Sequence, residues 1–549
     1  MFYLHHIFRS FLPLQNPIGF GAVDFFEFFI AAGFVLAASA WPKLKPALVR
    51  FAENQAACMI ALFLAPIALR LALLHTHPIP TPAVADDFSY VLLGDTLKHF
   101  RLSNPPHPMS RFFETFFVLQ GPTYGSIYPL GQGLVLALFG HPWAGVAISI
   151  GLFCSLCYWM LRAWTTPRWA LLGGMLAVIQ FGPLNQWMNS YWGGAVFAIA
   201  GCLVFGALGR RNAPIVGAGL ALAILTRPFE SILLALCAAA LAPKRARFFA
   251  IAGLALVPAL ALTLLHNKAV TNHWATLPYQ LSRDQYGVPA SFTFQPNPIP
   301  QRELTREQRL DYEIQSATHD SEPSFLKRWL FRLRFYRFYF LAPLYLAIPF
   351  AFRRNLWIFA SFAIFSVGTA FYPYFYAHYI AALACVFVLV AIKGLEQIKS
   401  PWIVYACFAQ FAIWYGAHLI GDPNMWRFET WDAINYGDPD GRIAVHHQLA
   451  AASGKQLVFV RYDSRHTFKE WVYNEADIDR SRVVWARDLG ADENAKLIHY
   501  YPDRSPWLLE PDREPPQLKP YFIPPPAPVK SETLPPPPKR PSLKFEEVH

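Results

Sequence analysis

Long apolar runs alternate with short polar connectors through the first three quarters of the chain. The runs fall at 19–41, 55–75, 142–162, 169–184, 191–208, 213–226, 229–242, 248–265, 336–352, 355–371, 377–392 and 401–420. Most approach the roughly 20 residues a helix needs to cross a bilayer. The pattern predicts a mainly α-helical polytopic membrane domain of about twelve spans over residues 1–420. Two long polar stretches, 76–141 and 266–335, interrupt it. After 420 the pattern changes: Gln456–Tyr462, Arg482–Arg487 and Trp507–Glu510 read as strands, with helical stretches near 466–475 and 491–500 between them. That alternation predicts a small α/β domain over 421–514. From 515 to 549 the chain is proline-rich and predicts a disordered, extended tail. No repeat of fixed period is visible.

Charge orients the spans. Basic residues cluster in one set of connectors: Lys43, Lys45 and Arg50, then Arg162 and Arg168, then Arg210 and Arg211. Lys244, Arg245 and Arg247, then Arg353 and Arg354, then Lys393 and Lys399 complete the set. The positive-inside rule makes these connectors cytoplasmic. Basic clusters flank both ends of 213–242, so this stretch is expected to turn back on itself near Thr226-Arg227-Pro228. The short apolar stretch Gly131–Gly140 is expected to lie along the surface or re-enter partway, because a full crossing would invert every later loop. Loops 76–141 and 266–335 and the C-terminal domain then face outward, with both termini.

Composition narrows the class further. The 549 residues are 54% hydrophobic and only 15% charged, against about 25% charged for an ordinary soluble protein. The formal charge of +11 suits anionic membrane lipids; because the basic residues follow membrane topology, nucleic acid is not expected as a partner. All seven cysteines lie in apolar stretches. Neither a disulfide framework nor a zinc site is expected from them, and Cys154-x-x-Cys157 reads as small packing residues. The N-terminus, with His5, His6 and Arg9, lacks a clear cleavage site, so the first span is expected to stay in place.

Candidate chemistry gathers at the outer ends of the spans. Ala85-Asp86-Asp87-Phe88-Ser89-Tyr90 follows the second span. Adjacent carboxylates there could supply a base, hold a cation, or merely cap a helix. The segment Asp86–Tyr90, continuing to Asp95 and Arg101-Leu102, opens the first large external loop. Tyr128-Pro129-Leu130-Gly131-Gln132-Gly133 closes it, and His141-Pro142-Trp143 leads into the next span. Across roughly residues 55–420 this arrangement resembles the GT-C superfamily of integral membrane glycosyltransferases, particularly the protein O-mannosyltransferase and lipid A aminoarabinose transferase branch. The resemblance implies a polyprenyl-phosphate-linked sugar as donor and a glycan, lipid or protein hydroxyl as acceptor. It also implies a bacterial-type inner membrane, with the catalytic loops on the periplasmic side. Asp86 would deprotonate the acceptor, and Asp87 would orient it. No cofactor is assigned; a divalent metal, if one is used, would lie on Asp86 and Asp87. Related transferases often carry a lysine before the surface helix. Here Gln120-Gly121-Pro122 has none, so another cation must hold the donor phosphate.

Three residues are candidates for that role. Arg70 lies inside the second span, where arginine is a functional candidate unless it snorkels to the interface. Arg227 crowns the expected hairpin, with interfacial anchoring as its plain alternative. His378 sits in Phe371–Tyr379, which is similar to the superfamily's aromatic motif and also fits an ordinary aromatic belt. Tyr128, Trp192 and Tyr379 are candidate sugar or acceptor contacts. Gly193 and Gly194, beside Trp192, read as close-packing positions. The basic-aromatic run Lys327–Arg337 has the composition of an interfacial helix. The leading expectation is an extracytoplasmic glycosyltransferase. The alternatives are a polymerase or ligase of lipid-linked glycans and, outside enzymes, a transporter, flippase or structural membrane protein. A transporter should carry paired halves with charged or broken helices at the midplane.

Overall fold

The structure, a computed structural model, describes residues 45–290, 292–320, 324–333, 338–353, 356–398, 401–421, 440–466 and 469–522. The expected span at 19–41 and the chain after 522 lie outside these residues. Helices α1 (Lys45–Glu53) and α2 (Gln55–Ala72) meet at Asn54, whose side chain accepts from the Ala57 amide (3.0 Å) and caps α2. Helix α3 (Ala85–Lys98) leads to a short antiparallel pair, β1 (Val118–Leu119) and β2 (Gly125–Ser126), and to α4 (Leu130–Ala137). At eight residues, α4 is too short to cross a bilayer.

The bundle continues through α5 (Pro142–Leu161), α6 (Pro167–Phe181), α7 (Gly194–Gly209), α8 (Ala213–Thr226) and α9 (Pro228–Leu241). Asn212 caps α8 by accepting from the Ile215 amide (3.1 Å). At its other end the Pro228 ring forbids helical geometry to the residue before it. Arg227 is accordingly extended, at φ −146° and ψ 87°. Because proline suits the first turn of a helix, α9 starts at once, and the two helices pack together as the expected hairpin.

Next come α10 (Ala246–Leu254) and α11 (Val257–Thr271), then α12 (Pro278–Tyr286), α13 (Arg306–Asp320) and α14 (Phe325–Leu333). The expected span at 336–352 is not a continuous helix. Its described residues form tight 3₁₀ turns at Ala342–Leu346 and Ile348–Arg353. Pro343 and Pro349 remove amide donors and clash with the preceding turn, which is the physical reason. Helices α15 (Leu356–Thr369), α16 (Ala384–Ile398) and α17 (Pro401–Ile420) complete the bundle, and a 3₁₀ segment at Ala377–Leu383 leads into α16.

Among the described residues five stretches are long and apolar enough to cross a membrane: Gln55–Ala72, Pro142–Leu161, Ala246–Thr271, Ala377–Ile398 and Pro401–Ile420. Helices α7, α8, α9 and α15 are apolar but shorter. In the second and fourth of the five, 72% and 83% of the residues of the apolar stretch are buried within the protein, against 17–22% in the other three. Apolar helices left this open in water would form large exposed patches, so a lipid surround is compatible with them.

The C-terminal unit consists of α18 (Arg442–Ala451), β3 (Lys455–Val460), β4 (Val483–Arg487), α19 (Ala491–Tyr500), β5 (Arg504–Glu510) and β6 (Gln517–Pro520). The sheet order is β4-β3-β5-β6, with β3 parallel to both neighbours and β6 antiparallel at the edge. Val458 pairs with Trp485 on one side and Trp507 on the other. No helix forms among the described residues of 466–475, where one was expected; Trp471 and Val472 instead pack irregularly against the sheet. The sheet also takes in 517–520, from the stretch the sequence assigned to the tail.

Candidate functional site

Val84, not an aspartate, is the N-cap of α3, and Asp86 and Asp87 stand in its first turn. The helix dipole favours negative charge there. Consecutive helix positions diverge by about 100°, so the two acids meet different surroundings. Asp87 is 2% exposed. It accepts from the amides of Ala83 (3.1 Å), Tyr191 (2.6 Å) and Trp192 (3.1 Å), pinning the turn before α7 onto α3. Burial outweighs these hydrogen bonds and, with the charge of Asp86, lifts its carboxyl to about 6. Asp87 does not line the cavity described next, contrary to the role in orienting an acceptor expected for it.

Asp86 is half-buried and accepts from the Tyr128 hydroxyl at 2.5 Å. Burial raises its carboxyl above the ordinary value, while Tyr128, its own amide and the charge of Arg227 oppose the rise. It opens onto a cavity of about 420 Å³, a volume suited to one small ligand group. Six of the residues singled out in the sequence line this cavity: Asp86, Tyr128, Trp192, Arg227, His378 and Tyr379.

Two glycines allow these segments to converge. A Cβ on Gly131 would lie 2.3 Å from the Thr226 hydroxyl oxygen, and one on Gly201 would lie 1.8 Å from the Ala382 carbonyl oxygen. Both are impossible contacts. The bare backbones bring α4, just after Tyr128, against the end of α8 beside Arg227, and α7 against the segment carrying His378 and Tyr379. Ser89 adds an anchor from α3, donating to the Phe117 carbonyl (2.6 Å) and sharing a hydrogen bond with Ser126 (2.7 Å).

Arg227 gives Nη1 to Glu230 (2.9 Å) and lies 4.5 Å from the centre of the Tyr379 ring. Tyr379 packs edge-on against Tyr372, at 5.3 Å. His378 sits 4.9 Å from Trp192 and 5.7 Å from Tyr376, centre to centre. The arrangement is an aromatic wall carrying one cation and one imidazole.

Arg70 is elsewhere. It is 1% exposed, and its three nitrogens donate to Asn189 Oδ1 (2.7 Å), the His77 carbonyl (3.0 Å) and the Pro78 carbonyl (2.9 Å). Three of its five N–H donors hold the chain after α2, and the buried guanidinium does not line the cavity where a donor phosphate would lie. Asp86 and Asp87 do not form a shared metal site either, because Asp87 is turned to three backbone amides and only Asp86 lines the cavity. Among the described residues no three His, Cys, Asp or Glu side chains form a metal-binding group.

The cavity also contains residues that the sequence reading did not select. Asp311 and Gln315, on α13, line it together with Tyr279; Tyr90, in the segment that carries Asp86, lines it too. Tyr372 and Tyr376, from the aromatic run already singled out in the sequence, also line it. Asp311 carries no such signal, because it is one of several acids in a polar amphipathic helix.

The C-terminal unit braces the site from behind. Phe88 stacks on Tyr473 (4.0 Å), and Arg442 lies over both Phe88 (4.6 Å) and Trp471 (4.2 Å). The Ala476 amide donates to Asp95 (2.7 Å). Arg487 joins Glu470 (3.1 Å) and Glu307 of α13 in a buried ion group. Comparison with family models, curated proteins and solved structures finds no match to this chain.

Proposed function

We propose that the chain is an integral membrane glycosyltransferase that moves a sugar from a polyprenyl-phosphate donor to an acceptor hydroxyl. Asp86 is the general base. The observation carrying this reading is the convergence of Asp86, Tyr128, Trp192, Arg227, His378 and Tyr379, from separate stretches of sequence, on one cavity. A hydroxyl is a weak nucleophile near neutral pH, and a positioned carboxylate activates it. In the proposed step the acceptor oxygen bonds to the anomeric carbon and the bond from that carbon to the donor phosphate oxygen breaks. The acceptor proton passes to Asp86, and the lipid phosphate leaves with the electron pair. Arg227 and His378 stabilise that phosphate, and arginine supplies a planar fork of donors. The tyrosines and Trp192 pack against the sugar.

The membrane reading extends to about twelve spans with both termini, the cavity and the C-terminal unit on the extracytoplasmic side. The cavity is small for two lipid-linked glycans, which favours a transferase over a polymerase. The test is to give membranes containing the protein radiolabelled polyprenyl-phosphate sugars and to follow label into lipid, protein and polymer fractions. Transfer above control membranes is expected; no transfer with any donor would overturn the reading.

A further inference from the structure

Asp311 is the acid in the cavity wall that the proposed chemistry leaves unused. It is 7% exposed, and its Oδ1 accepts from Gln315 Nε2 at 2.9 Å. Gln315 is itself oriented, because its Oε1 accepts from the Ala290 amide (2.8 Å). Among the described residues Oδ2 of Asp311 has no hydrogen-bond partner. A carboxylate offers about four lone-pair sites, and this one uses a single site.

The surrounding charge does not compensate for it. Among the described residues that line the cavity Arg227 is the one cationic side chain, and Glu230 already pairs with it. Burial, only partly offset by Gln315 and reinforced by the charge of Asp86, raises the Asp311 carboxyl to about 6. Near neutral pH a buried charge therefore borders the cavity with most of its hydrogen-bonding capacity unmet by the described protein groups. Such an arrangement costs stability unless a ligand completes it.

We infer that Asp311 is the sugar-selecting contact of this cavity, accepting a hydrogen bond from a ring hydroxyl of the donor sugar. The inference rests on the glycosyltransferase reading and adds to it a second carboxylate with a different task. Asp86 takes a proton; Asp311 holds the sugar and keeps its own protonation state through the reaction. A site built to bond a hydroxyl discriminates strongly against a sugar that lacks it or points it elsewhere. Selection among sugars therefore depends on α13.

The test uses the full chain, in membranes and purified in detergent, as wild type, Asp311→Asn and Asp311→Ala. The probes are polyprenyl-phosphate mannose, glucose, galactose, arabinose and one 6-deoxyhexose. For the preferred donor, Asp311→Ala should lose about 10- to 100-fold in kcat/KM, as expected for a hydrogen bond to a charged group. Its preference across the panel should flatten. Asp311→Asn keeps an oxygen for Gln315 and removes the unpaired charge, so its apparent Tm without donor should equal or exceed that of wild type. A wild-type donor preference left intact in Asp311→Ala would overturn the inference and leave the glycosyltransferase reading standing. A lower Tm for Asp311→Asn would assign the residue a structural role instead. Wild-type protein that transfers no sugar of the panel would overturn both.

Discussion

Asp86 and Asp87 are adjacent in sequence, yet the structure gives them separate tasks, and this separation can be tested one side chain at a time. The Tyr128 hydroxyl and the charge of Arg227 both favour the ionised form of Asp86. Removing either raises its pKa. In Tyr128→Phe the acid limb of the kcat/KM profile should therefore move to higher pH, with activity most reduced on the acid side. A profile measured in parallel with wild type checks the direction. Arg70 makes the opposite case. Intramembrane arginine reads as functional by default, and sequence alone does not show the three oxygens that meet it. In Arg70→Leu those acceptors lose their donor, at about 1–3 kcal/mol each when buried. The apparent Tm should fall while the donor KM of the surviving protein stays unchanged. Asp311 was illegible for the converse reason: its helix is polar throughout, and only folding sets that one acid against the cavity.

At the scale of elements, apolar runs made much of the bundle readable. Pro228 marked the hairpin, and the structure has helices on either side of it at 213–226 and 228–241. Prolines 343 and 349 also marked a break, but the hydrophobicity of 336–352 masked that signal, and a span was expected where tight turns lie. What the sequence could not convey is close approach between distant elements. Gly201→Leu would drive a side chain into the Ala382 carbonyl and push α7 away from His378 and Tyr379. A lower apparent Tm and a higher donor KM are expected together. Helix α13 depends on the C-terminal unit in the same way. Arg487→Met leaves Glu307 and Glu470 buried without their cation, and breaking such a group typically costs about 3–5 kcal/mol. Hydrogen exchange across 306–320 should quicken, and the donor KM should rise more than kcat falls.

The whole molecule couples a greasy bundle to a small sheet domain that braces the first turns of α3 and α13 from outside the cavity. A C-terminal α/β unit was legible from its strands, but its docking was not, because Phe88, Tyr473 and Arg442 are unremarkable until they stack. The proposed topology places that unit on the same side as the cavity. Reporter fusions after 168, 211, 247 and 354 should read cytoplasmic, and those after 300 and 430 external; the reverse at 430 would remove the argument for an extracytoplasmic site. The claim on which the account turns is that Asp86 is the base of a sugar transfer. The most direct measurement compares radiolabelled sugar transfer from polyprenyl phosphate by wild type and Asp86→Asn at matched levels of inserted protein. Asparagine keeps the size of the side chain and removes its basicity. The account expects normal insertion and a loss of about 10²- to 10⁴-fold in turnover; an Asp86→Asn protein that turns over at the wild-type rate would contradict it.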